Sequence, residues 1–199
     1  MPKRNRVTPY GDIVAIDLRG AWLGNRGILH EGEEIVAFHR HPHWITCALR
    51  HRDWRLPQWQ PHRFTVLFFH DEAVSLAAGH RPCALCRRTD YNAYRTAWSA
   101  ATGAPPPLAV EIDRVLHEQR LHRGTRRRRL HEMDWDSLPT GAFVAIGDEP
   151  LLVRDDAVVP WSTSGYGEPR RRPGTGSVQA LTPPGSVDAL RHGYVPQIG

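Results

Sequence analysis

Apolar and polar positions alternate at strand period through the first third of the chain. DIVAIDLRG, EEIVAFHR, HWITCAL and RFTVLFF carry β-branched and aromatic residues in short runs. The glycines of WLGNRGILHEGE and the turn-rich segment RHRDWRLPQWQPHR separate them. From Asp71 the period becomes helical. A short helix over Asp71 to Ala78 has acids in its first turn and stops at Gly79, a residue suited to the left-handed position after a helix. A longer helix is predicted over Cys86 to Ala101, where Tyr91, Tyr94 and Trp98 form one core-facing stripe ahead of Gly103. After the stiff GAPPP connector, a further helix over Leu108 to Leu121 turns Leu108, Ile112, Val115 and Leu116 inward and leaves Asp113, His117 and Glu118 on a solvated face. Strands then return. GAFVAIG, PLLVRDD and AVVPWS read as a meander with turns at Gly147-Asp148 and Asp155-Asp156, SVQALT as a last strand, and PPGSVDALR as a short helix opened by proline.

This order predicts an α+β fold: N-terminal β-strands, a central helical segment, and a C-terminal β-meander. The pattern divides into a β-rich region with its following helix over 1–103, and a helix plus meander over 104–199, packed together as one domain.

Composition adds a partner and a compartment. The chain has 199 residues, 40% of them hydrophobic, which suffices for a core, and a formal net charge of +5. Lys3 is the only lysine, so the positive charge is carried by arginine, whose planar fork suits phosphate. Nucleic acid is the partner this implies. The candidate contacts are Arg50, Arg52, Arg55 and Arg63 in the aromatic segment, and Arg126, Arg127, Arg128 and Arg129 in HRGTRRRRLH, read as an exposed loop. The competing reading of HRGTRRRRLH is a solvated loop. No run reaches the roughly 18 apolar residues of a membrane span, and the N-terminus lacks a signal-peptide core, so a soluble cytoplasmic protein is expected.

Three cysteines change the picture more. Cys83 and Cys86 form C-x-x-C in GHRPCALCRR, a spacing that lets two thiolates grip one tetrahedral metal. A redox pair would be expected after a parallel strand in a βαβ unit, and this pair follows a short helix and a Gly-His-Arg-Pro turn. Cys47 is the one remaining cysteine, and an odd number argues against a disulfide framework. Histidines crowd the region: His39, His41, His43, His51, His70 and His80.

The stretch FFHDEAVSLAAGHRPCALCRR, from Phe68 to Arg88, resembles the second half of the zinc module of Ada-type DNA-repair proteins, which carries a phenylalanine pair, an alanine-rich helix and A-G-F-R-P-C-x-x-C. The resemblance spans about residues 44–88. It implies one zinc ion bound by Cys83, Cys86 and an upstream pair that corresponds to Cys47 and His51 in WITCALRH. His51 stands where the family has a cysteine. An extended WITCALRH would hold Cys47 and His51 about 13 Å apart, so a bend is required, or His80, His43 or water takes the fourth position.

Three functions follow. A closed site is structural, inside a nucleic-acid-binding or repair-associated module. In the resembled family a zinc-bound thiolate accepts a methyl group from a DNA phosphotriester, which implies Cys47 as acceptor here, at a site going from charge −1 to 0. A zinc-dependent hydrolase of deaminase type would need a glutamate two residues beyond the upstream ligand, and that place is Leu49.

Overall fold

The computed structural model describes residues 1–53 and 57–199, and the fold is α+β. Among the described residues the first sheet has the strand order Ile13–Val14, Arg6–Val7, Leu67–Phe69, Trp22–Asn25, Ile45–Ala48 and Arg81–Pro82. Arg6–Val7 runs parallel to Leu67–Phe69, and Ile45–Ala48 parallel to Arg81–Pro82; the other pairs are antiparallel. The long N-terminal strands expected from the pattern are cut short. DIVAIDLRG contributes only Ile13–Val14, and EEIVAFHR only Glu34–Ile35, which pairs with His30–Glu31 outside the sheet. Beyond Ile13–Val14 an arginine takes a backbone acceptor that a longer ladder would use, Arg6 Nε donating to the Leu18 carbonyl at 2.8 Å. That carbonyl is satisfied without a strand partner.

The second sheet is antiparallel throughout, with the order Gly165–Tyr166, Ala157–Ser162, Glu149–Arg154, Phe143–Ile146, Ser177–Ala180 and His131–Asp134. Arg170–Arg171 also pairs with Ala157–Ser162. The expected meander forms, with Gly147 at φ 59° and Asp155 at φ 43° in its turns. Ser177–Ala180 returns beside Phe143–Ile146 instead of extending the meander, and His131–Asp134, which the pattern did not show as a strand, pairs along its far side.

Alternation in this sheet feeds two cores. Val144, Leu151, Val153, Val158 and Ala180 face the helices, together with Tyr91, Tyr94, Trp98, Ile112, Leu116 and Val187. Phe143, Ala145, Leu152, Val159 and Trp161 face the first sheet, with Val7, Leu67, Phe69 and Val74. The helices are α1 (Glu72–Ala77), α2 (Arg88–Thr102), α3 (Ala109–Arg120) and α4 (Pro184–Arg191). Helix α2 ends on Gly103 in the left-handed region. Leu108 departs from the expected buried stripe: it is the residue before α3 and 63% exposed, its backbone N–H donating to Glu111. Among the described residues, no helix is long and apolar enough to cross a membrane.

Every residue of α1 is buried, which makes its polar ends costly unless paired. At the start, Asp71 accepts from the Val74 amide at 2.9 Å and from the Tyr166 hydroxyl at 2.6 Å. Glu72 pairs with Arg87 at 2.8 Å, with both side chains 1% exposed. At the other end Arg120 donates to the Gly79 carbonyl at 2.7 Å, and Arg128 donates to the carbonyls of Ala77 and Leu181. Carboxylates at the N-terminus and guanidinium groups at the C-terminus both complement the helix dipole. Gly79, at φ 86°, lets the chain turn here, and a Cβ on it would lie 2.6 Å from Arg120 Cδ. Helix α1 is thus a fixed strut between the Phe68-Phe69 strand and the turn that carries Cys83 and Cys86.

Candidate metal centre

The α1 strut delivers the chain to Arg81–Pro82, which adds to the edge of Ile45–Ala48. The Arg81 amide donates to the Trp44 carbonyl at 3.2 Å, and the Cys83 amide to that of Thr46 at 2.9 Å. The ladder therefore places Cys83 next to Cys47. A turn over Ala84–Arg87 then folds Cys86 back before α2 begins, closed by the Arg87 amide on the Cys83 carbonyl at 3.1 Å. The ligand atoms of Cys47, Cys83 and Cys86 all lie within 4.8 Å of one another, a group that can hold a metal ion. All three are free cysteines.

The backbone prepares two of the three sulfurs. The Leu85 amide donates to Cys83 Sγ at 3.4 Å, and the Ala48 amide to Cys86 Sγ at 3.4 Å. Cys47 Sγ has no such amide among the described residues. Contact with Cys83 and Cys86, together with burial, pushes the Cys47 thiol up, while hydrogen bonds from Cys47, Cys86 and the nearby amides pull Cys83 down. Three thiols this close cannot all ionise without a compensating cation, and a bound divalent metal supplies that charge.

The sulfurs open on a cavity of about 160 Å³ lined by Asn25, Ile45, Leu49, His51, Phe64 and Leu85. The strand ends at Ala48 and the chain bends at Leu49, and His51 lines this cavity but lies outside the group that the three cysteines form. His51 is the one histidine lining this cavity among the described residues. His80, the alternative fourth ligand, lies elsewhere. It is fully buried, accepts from Arg26 Nε at 3.1 Å, and packs on Trp44 and Phe69 at 5.1 and 4.6 Å between ring centroids. Burial, with Arg26, Arg120 and Arg128 nearby, holds it neutral. His43 is also elsewhere, its Nδ1 at 2.8 Å from Asp113 Oδ2.

Of the residues expected at the surface, one is buried and another half-buried. Asp113 is 1% exposed and takes both forks of Arg81, each at 2.8 Å, so it anchors α3 to the strand leading into Cys83. Its pattern position next to Ile112 gave no sign of the partner 32 residues away. Arg128 is the second. It was expected on an exposed loop with Arg126, Arg127 and Arg129, but an isolated bridge between Leu121 and Arg128 makes the loop a hairpin, and Arg128 turns in to cap α1. Burial lowers its pKa to about 10. Arg126, Arg127 and Arg129 stay exposed, as do Arg50, Arg52 and Arg63. Arg55 lies outside the described residues.

Comparisons of this chain with family models, curated proteins and solved structures yield no match. The fold and its cysteine group define an α+β protein with a three-cysteine centre able to bind a metal ion.

Proposed function

We propose that the chain is a zinc protein in which Cys47, Cys83 and Cys86 bind the ion and His51 completes the shell, as part of a nucleic-acid-binding module of Ada-like type. The observation that carries this is the convergence of three sulfurs from a strand and a C-x-x-C turn within 4.8 Å. A sulfur-rich tetrahedral set suits zinc, which needs no redox change and tolerates one nitrogen. Bound there, zinc ties Ile45–Ala48 to the turn before α2, adding to the pairing of Ile45–Ala48 with Arg81–Pro82. Exposed Arg50, Arg52 and Arg63 border the same cavity segment and support the nucleic-acid reading. Zinc content per chain should be near one in the wild type. It should fall in Cys47→Ser, and affinity should fall further in His51→Ala than in His80→Ala; the reverse ranking would move the fourth ligand away from His51.

A second reading is favoured by one feature, the lack of an amide donor on Cys47 Sγ. Hydrogen bonds damp a thiolate's nucleophilicity, so Cys47, once a bound metal holds it as the thiolate, is the sulfur best placed to react. It would attack a methyl carbon of a phosphotriester, forming S–C, breaking C–O, and releasing the phosphodiester anion. Mass mapping after a limiting dose of DNA bearing methyl phosphotriesters should find the methyl group on Cys47. Even modification of all three, or none, would leave only the structural role. A deaminase-type hydrolase is disfavoured, because the cavity lining holds no carboxylate among the described residues.

A further inference from the structure

The arginine hairpin and α3 enclose a second, larger concavity, separate from the cysteine cavity. It measures about 920 Å³, and its chemistry is set by Arg123, Arg126, Arg129, His39, His117 and His122. One carboxylate, Glu118, lines it, and that group is 3.8 Å from Arg114. Further positive charge lies beneath the wall. Arg120 is fully buried, with Nη2 at 3.0 Å from His117 Nδ1, and its Cζ lies 4.0 Å from the Trp44 ring centroid; Arg26 stacks on the same ring, also at 4.0 Å. No carboxylate bonds to either guanidinium among the described residues. Glu118 thus stands against three lining arginines, and charge in a wall of low polarizability is felt more strongly than on open surface.

Backbone hydrogen bonds close the hairpin that carries these arginines. The His122 amide donates to the Arg127 carbonyl at 3.0 Å, the Arg129 amide to that of Arg120 at 3.0 Å, and the Thr125 amide to that of His122 at 3.0 Å. Arg126 and Arg129 line the groove, while Arg127 does not and Arg128 is committed to α1. The histidines add neutral donors. Burial, then His117 and the arginines, lowers His39 to about 4, and burial then Arg120 lowers His117. His39 Nδ1 is buried with no hydrogen-bond partner. A positive groove with guanidinium groups carried on a hydrogen-bonded hairpin, beside neutral imidazoles, is complementary to a phosphate group.

We propose that this groove seats phosphate, with Arg126 and Arg129 as the charged contacts and Arg123, His39 and His117 as further donors. The proposal deepens the nucleic-acid reading and rests on it only for the polymer, since inorganic phosphate probes the seat alone. The full-length protein is titrated calorimetrically at low salt with inorganic phosphate, then with a single-stranded oligonucleotide carrying or lacking a 5′-phosphate. Arg126→Gln/Arg129→Gln should weaken inorganic phosphate by about tenfold or more, the loss of one to two charge-assisted hydrogen bonds. On the oligonucleotide the same variant should lower the salt slope by about 1.4, two contacts at 0.7 each. Arg127→Gln, exposed and outside the groove, should change neither. Tighter binding of the 5′-phosphorylated strand assigns the seat to a terminal monoester, and equal binding to backbone diesters. Phosphate bound with no oligonucleotide binding upholds the seat and removes the nucleic-acid reading. No phosphate binding by the wild type, or an equal loss in Arg127→Gln, would overturn the proposal in favour of diffuse surface charge.

Discussion

Cys47, Cys83 and Cys86 gather chemically similar groups from positions far apart, whereas Arg126 to Arg129 scatter similar groups that are adjacent. The sulfurs come from the strand next to the sheet edge and from a turn, and a parallel strand pair with two amide-to-sulfur bonds brings them together. The four arginines are consecutive, yet the hairpin sends Arg128 under α1, turns Arg126 and Arg129 to the groove, and leaves Arg127 in solvent. Adjacency in sequence is a poor guide to shared function where the backbone alternates, and spacing is a good one where a single ion must be surrounded.

The largest expected effect is on the convergent side. Cys83→Ser and Cys86→Ser each should lose the bound metal and with it about 5 kcal/mol or more of stability, the scale on which a structural zinc contributes to a marginally stable domain. Soluble, protease-resistant protein with wild-type melting in both variants would break the comparison, because convergence would then have no energetic role. Next comes the strut that aims the sulfurs. Arg87→Met leaves Glu72 as a buried unpaired charge and should cost about 3–5 kcal/mol in urea unfolding. A cost below 1 kcal/mol would mean that α1 does not depend on this pair.

The arginine side sharpens the contrast at smaller scale. Arg128→Ala strips the partner from two buried carbonyls, and relief of its repulsion with Arg26 offsets part of that, leaving a loss of about 2 kcal/mol. Arg127→Ala, one residue away, should stay within about 0.5 kcal/mol of wild type. Similar values for the two would show that the hairpin does not sort its arginines.

The legibility of the sequence follows the same division. The helices and the meander were readable because their periods and stop signals are local: Tyr91, Tyr94 and Trp98 are buried as their spacing implies, and Gly79 and Gly103 end their helices at positive φ. The cysteine group was readable because C-x-x-C plus one further cysteine leaves few arrangements. The bend that brings His51 to the cavity was required by distance but not visible in Ala48-Leu49-Arg50, which lacks a turn residue. Asp113 and Arg128 were misplaced for one reason. Each is a charged residue in a polar setting whose partner, Arg81 or the end of α1, is distant in sequence, and burial of a paired charge leaves no periodic trace. The N-terminal strands are shorter than their pattern for a related reason: the Arg6 side chain satisfies the Leu18 carbonyl, a group that the pattern assigns to a ladder.

X-ray absorption at the zinc edge of the purified full-length protein tests the central claim most directly. One zinc per chain, with three sulfurs at about 2.3 Å and one nitrogen at about 2.0 Å, is the predicted spectrum. A protein purified without stoichiometric metal, or a shell with fewer than three sulfurs, would contradict it.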